Sequence, residues 1–143
     1  MPHEISWYIE KRVIGVRIYG EVDRDEPIDS STQISELSLE GTAPIFLLLD
    51  FRDVTKFSTD VGYILPRMKE RSGNNGNVTW TIFLTDNKMF GFFGALASNV
   101  MKMPMRMCKT QEEANALIAH LAPELADLLP APKPVGETAQ AGS

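Results

Sequence analysis

Asp50 and Asp53 stand three residues apart at the end of the most apolar stretch of the chain, Ile45-Phe46-Leu47-Leu48-Leu49-Asp50-Phe51. Paired carboxylates at a strand end can bind Mg²⁺ or form an aspartyl phosphate, since both need clustered anionic oxygens. The plainer role for such acids is to accept backbone N–H groups where the strand stops. A second group, Ser58-Thr59-Asp60, precedes a helical pattern. Its hydroxyls and carboxylate either cap that helix or mark a phosphorylation site, because a phosphate there would meet the same free N–H groups. Other chemistry is scarce. The chain has one cysteine, Cys108, and two histidines, His3 and His120, too few for a cysteine/histidine zinc site or an internal disulfide. Cys108 lies in a short apolar strand and reads as a buried structural thiol. His3 sits near a terminus expected to be mobile, and His120 takes a polar position on the last helix. No nucleophile, base and acid can be assembled, so the reading is a non-enzymatic protein with no metal and no cofactor.

The elements that hold these residues follow from periodicity. Residues 5 to 10 alternate apolar and polar side chains, Lys11-Arg12 makes a turn, and Ile14, Val16 and Ile18 alternate again as far as Gly20, which predicts a β-hairpin. Residues 21 to 40 carry seven acids and one base, with a narrow apolar stripe of Ile28, Ile34 and Leu37. They predict a loop and a helix ending near Gly41, with Pro27 in its first turn. Its acidic side is either a solvated face or a docking surface for a basic partner. The unbroken apolar run at 45–51 is that of a strand covered on both faces, as in a parallel sheet. Val61, Ile64, Leu65 and Met68 recur at helical spacing, with Pro66 inside the pattern, where it should kink the helix, although Gly62 four residues earlier relieves its ring clash. Residues 72–77 form a turn cluster. Val78, Trp80, Ile82 and Leu84 predict a strand, Asp86 caps a helix through about Met101, and Pro104 stops it. Met105 to Cys108 predict a short strand. Thr110 and Glu113 form a capping box for the final helix, whose Ala114, Leu117, Ile118 and Leu121 face the core. The fold class is therefore α/β, in the order β-β-α-β-α-β-α-β-α, a hairpin followed by helix-separated strands in a mostly parallel sheet. One domain spans residues 1–129, and the Pro/Ala-rich segment 130–143 is expected to be a disordered tail.

Composition sets the outer bounds. The 143 residues suit one domain, and 14 lysines and arginines against 19 acids give a net charge of −5. An acidic protein of pI about 5.0 is a poor partner for nucleic acid. No apolar run is long enough to cross a membrane, and the chain opens without a signal core, so the expected compartment is the cytoplasm. One segment is unusual. Met89, Phe90, Phe92, Phe93, Leu96 and Met101, followed by Met103, make the third helix apolar nearly all round. It is either fully buried or partly a contact surface for a second subunit, another protein, a lipid or an apolar ligand. Gly91 and Gly94 would permit close approach.

The stretch from Leu48 through Asp50, Ser58, Thr59 and Asp60 to Leu65 resembles the central motif of STAS domains, the anti-sigma-factor antagonists of the SpoIIAA type. There an apolar strand and an aspartate lead into an Asp-Ser-Ser-Gly-Leu helix start. The order of elements across residues 5–128 is similar as well. An early tryptophan strand, the Trp80 strand and the Thr-x-Glu-Glu-Ala final helix bring the chain nearer the uncharacterised bacterial STAS-like or SEC14-like proteins. The resemblance implies a single SpoIIAA-like domain working as a regulatory, protein-binding module, and its SEC14-like side an apolar or membrane-surface ligand at residues 89–105; a homodimer is expected through the apolar third helix itself. Laid over the motif, Ser58 takes the place of its aspartate, Thr59 its first serine, Asp60 the serine that is usually phosphorylated, and Val61 the glycine. A fixed carboxylate at Asp60 would then imitate the phosphorylated state. A receiver-like phosphoacceptor domain is a third reading, with Asp50, Thr85 and Lys109 at strand ends, although the acidic pair expected after the first strand is missing.

Overall fold

A computed structural model describes residues 3–72, 78–102 and 104–129. Five strands form one sheet in the order β1-β2-β3-β4-β5: His3–Ile9, Val13–Val22, Ile45–Phe57, Val78–Leu84 and Met105–Cys108. β1 and β2 are the antiparallel hairpin, with Lys11 at φ 65° in its turn. The pairs β2/β3, β3/β4 and β4/β5 are parallel, as helix-separated strands require. The helices are α1 (Glu26–Ser38), α2 (Val61–Ser72), α3 (Lys88–Met101) and α4 (Gln111–Leu121), with a terminal 3-10 helix at Pro123–Leu128 that the periodicity did not predict.

The sheet separates two apolar layers. On one face Val13, Phe46, Leu48, Ile82 and Leu84 pack against Ala114 and Ile118 of α4 and Leu125 of the 3-10 helix. On the other, Ile14, Val16, Leu47, Phe51 and Phe83 meet Ile34 of α1 and Phe90 of α3. Ile28, Ile64, Leu65 and Phe93 then join α1, α2 and α3 to each other. Burial of the strand Ile45 to Leu48 on both faces explains why that run shows no alternation.

Register shifts alter four expectations. β2 does not stop at Gly20 but runs to Val22, with Gly20 at φ +71°, a conformation that glycine adopts without steric cost. β3 continues past Phe51 to Phe57, and against β2 it carries one extra residue between Arg17 and Tyr19 and another between Gly20 and Glu21. Asp50 and Asp53 are therefore inside a strand rather than at its end. In β4 an extra residue between Val78 and Trp80 puts Val78 on the α1/α3 face, opposite the face of Trp80, Ile82 and Leu84. The period-two pattern missed that bulge. Pro66 lies inside a continuous α2, above a Gly62 that has open space around it.

One helix start differs from expectation, while that of α1 has Pro27 in its first turn as the sequence indicates. α3 is capped by Asn87, whose Oδ1 accepts from the Met89 N–H at 2.8 Å, not by Asp86. α1 begins under Asp23, whose carboxylate accepts from the Asp25 and Glu26 N–H groups at 2.9 and 3.0 Å. α4 starts as the sequence indicates, with Thr110 Oγ1 accepting from the Glu113 N–H. The Glu113 carboxylate reaches the N–H of Lys109, one residue before the cap.

Candidate functional site

The junction between β3 and α2 is built by the end of the β2/β3 pair. The Ser58 N–H donates to the Val22 carbonyl at 3.0 Å, holding the chain against β2 as it leaves the sheet. Ser58 is half-buried, and its Oγ accepts from the Asp60 N–H at 3.4 Å; Thr59 is exposed. The Asp60 carbonyl accepts from the N–H groups of Tyr63 and Ile64, so Asp60 is the residue from which the helix starts. Its carboxylate is at the surface, 3.2 Å from Nη1 of Arg24.

Arg24 belongs to a connected set of charges and one ring. Its guanidinium carbon lies 3.8 Å from the Tyr63 ring centroid, and that of Arg67 lies 3.9 Å from the same centroid. Arginine stacks well on aromatic faces because its charge is spread over a plane. The Tyr63 hydroxyl donates to Asp25 at 2.7 Å, and this bond holds the phenol above its ordinary pKa. One turn later, Arg67 donates to the Tyr63 carbonyl. The acidic end of the loop before α1 is thereby tied to the first turns of α2.

The two strand acids do not converge. Asp50 accepts from Nε and Nη2 of Arg52 at 3.0 and 2.9 Å and from the Arg52 N–H, which raises the arginine pKa further. Asp53 accepts from Nε and Nη2 of Arg17 instead. Thr85 is buried, and its Oγ1 accepts from the Asn87 N–H. Each acid has its own arginine, so the pair makes two separate salt bridges. Among the described residues, no three histidine, cysteine, aspartate or glutamate side chains come close enough to hold a metal ion.

The apolar residues of α3 divide. Phe90 and Phe93 are buried and Leu96 is half-buried, whereas Met89 and Phe92 are 59% and 66% exposed. Gly94 lies against the Phe83 ring and Gly91 against Met107 of β5, where a side chain would collide. The side chain of Met101, and Met103, fall outside the described residues, as do 73–77 of the turn cluster and the tail 130–143. Between α1, α3 and the sheet lies an apolar cavity of about 90 Å³.

Cys108 is buried, and desolvation pushes its thiol up, with a smaller contribution from Glu113. His120 is exposed on α4. His3 corrects the expectation of a mobile end. It lies in β1 with its side chain 4% exposed, its Nδ1 against Glu26 of α1 and its Nε2 3.3 Å from Gln33 Oε1. Glu26 is itself buried. Partners 23 and 30 residues apart leave no local spacing signal, which is why the sequence placed both side chains in solvent.

No protein-family model matches the chain, and no curated protein does. Among solved structures, an uncharacterised protein of Shewanella loihica with a SpoIIAA-like fold is similar over 80% of this chain and 90% of its own, at 12% identity and a TM-score of 0.55. The anti-sigma factor antagonist SpoIIAA in its unphosphorylated form is similar over 81% of this chain and 96% of its own, at 22% identity and a TM-score of 0.50. No helix among the described residues is long and apolar enough to cross a membrane. The hairpin, the central parallel strands and the helices on both faces of one sheet give this chain a SpoIIAA-like fold.

Proposed function

We propose that this is a non-enzymatic regulatory module that binds a partner protein through the surface where β3 meets α2, with Asp60 as a fixed negative charge at its centre. The observation that carries this reading is the placing of Asp60. It stands at the first turn of α2, on the surface, paired with Arg24. In the STAS motif that place belongs to the hydroxyl that gains a phosphate. A carboxylate there supplies part of a phosphate's charge without any modification. Arg24, Tyr63 and Arg67 frame it with cations and an aromatic face, residue types enriched where proteins bind each other. An antagonist role is what the SpoIIAA comparison carries by name, and it supports a regulatory rather than a catalytic reading.

The test is affinity capture from the native host by wild type, Asp60→Ala and Asp60→Glu. The pair Asp60–Arg24 is exposed, so Asp60→Ala should cost no more than about 1 kcal/mol of stability. A protein retained by wild type and by Asp60→Glu but lost with folded Asp60→Ala is the expected result. Equal capture by all three would overturn the reading.

A contact between two copies of the chain is the second reading, and it rests on Met89 and Phe92. Two large apolar side chains exposed one turn apart on α3, beside Met107 at 44% exposure, make a patch that a second copy would cover.

A further inference from the structure

We infer that Met89 and Met107 form a reversible oxidation site, at which a hydroperoxide turns the apolar α3/β5 surface polar and so releases a second copy of the chain. The inference rests on the two-copy reading for its consequence, though not for its chemistry. Methionine is concentrated in this segment. Met89, Met101, Met103, Met105 and Met107 are five of the chain's seven, with Met1 and Met68 elsewhere. Those whose side chains are described differ in access. Met89 and Met107 are exposed, whereas Met68 and Met105 are half-buried and line the cavity between α1, α3 and the sheet. Met107 is also held in place. A Cβ at Gly91 would stand 2.6 Å from its sulfur, so the thioether lies on bare α3 backbone with its remaining surface open to solvent.

A peroxide meets these thioethers before it meets a thiolate. The chain's one cysteine, Cys108, is buried, and burial holds its thiol above its ordinary value and away from the reactive anion. A thioether carries no proton, so its reactivity follows access rather than pH. The hydroperoxide supplies all that the step needs. A sulfur lone pair attacks its outer oxygen, the S–O bond forms as the O–O bond breaks, and the leaving oxygen takes the proton and departs as water or an alcohol. Sulfur loses two electrons and the peroxide gains them. The sulfoxide is uncharged but strongly polar, and it replaces a flexible apolar side chain. On a free chain water solvates it. In a contact between copies its neighbours are Phe92 and the other methionine, whose side chains donate no hydrogen bond, so the new acceptor would be buried unpaired.

Hydrogen peroxide on the folded full chain tests this, read by peptide mass spectrometry and by light scattering at high salt, where the charges of Lys88 and Lys109 are screened. Met89 and Met107 should each gain one oxygen before Met68 or Met105 does, and the dissociation constant of the dimer should rise at least tenfold. Methionine sulfoxide reductases of both epimer specificities, supplied with dithiothreitol, should restore it. The double variant Met89→Leu/Met107→Leu keeps size and apolarity without an oxidisable sulfur. It should dimerise like wild type and not respond to peroxide, oxidation elsewhere in the chain being common to both proteins. Earlier oxidation of Met68 or Met105, an undiminished dimer carrying both sulfoxides, or a double variant as sensitive to peroxide as wild type would each overturn the inference and leave the two-copy reading standing. Untreated wild type that stays monomeric would remove both. The first two of these outcomes use wild type alone, so they decide the matter even if the double variant fails to fold.

Discussion

Single side chains here act mostly through one specific partner. The Arg12 Nη2 donates to Glu124 at 2.8 Å, joining the hairpin turn to the terminal 3-10 helix, and this bond holds the Glu124 carboxyl below its ordinary value of 4.5. A carboxylate whose folded pKa is depressed adds stability above the unfolded pKa and loses it as pH falls through the folded pKa. Glu124→Gln should thus lower the midpoint of thermal unfolding slightly at pH 7 and leave it unchanged well below pH 4.5. A difference that persists at low pH would show that the contribution is not ionic. The chemistry-bearing residues themselves were legible in the sequence, yet their company was not. Asp50 and Asp53 look like a pair in one dimension, and each proves to be neutralised by a different arginine. Arg17 reaches Asp53 because β3 gains a residue relative to β2 at that point, and no pattern in either strand announces it.

Elements were read more securely than partners, because strand and helix periods depend on which face is buried. The run at Ile45 to Leu48 is apolar throughout for the reason that helices cover both sides of it. The reading failed where one residue too many shifts the phase, as at Val78, or where two adjacent residues could both cap, as at Asp86 and Asn87. The terminal 3-10 helix escaped because six residues are too few to establish a helical stripe. Gly41 offers a sharp test of how the first crossover is packed. A Cβ there would stand 2.8 Å from the Lys11 carbonyl oxygen and 2.7 Å from both Trp7 and Ile45. Backbone cannot step aside as a flexible side chain can. Gly41→Ala should destabilise by about 1–3 kcal/mol in chemical denaturation. Asn87→Ala, which removes only the α3 cap, should cost about 1 kcal/mol. If the two variants proved equally mild, the close packing around Gly41 would be in error.

Charge and apolar surface are unevenly distributed over the whole molecule. Residues 21–40 hold seven acids and one base, whereas 88–109 hold Lys88, Lys102, Arg106 and Lys109 and no acid. The net of −5 therefore conceals an acidic segment around α1 and a basic one around α3 and β5. Met89, Phe92 and Met107 lie in the basic segment, and covering them with a second copy would bring like charges together. Light scattering at low and high salt is the informative measurement. Wild type should approach twice the monomer mass more readily at high salt, where that repulsion is screened, and Phe92→Glu should stay monomeric in both. A monomeric wild type at high concentration and high salt would remove the second copy from consideration.

The order of the strands leaves two open sheet edges, and neither is inviting to another chain. β5 offers four residues, follows directly on Pro104 and carries an exposed Arg106. β1 places the exposed Glu4 and Ser6 along the other edge, and the chain turns away at Glu10. Short, charged or proline-flanked edges resist strand addition, the usual route from a soluble α/β protein to fibrils. Among the described residues neither edge favours growth of the sheet, so association of this protein is expected to run through side chains, such as those of Met89, Phe92 and Met107, and not through the backbone.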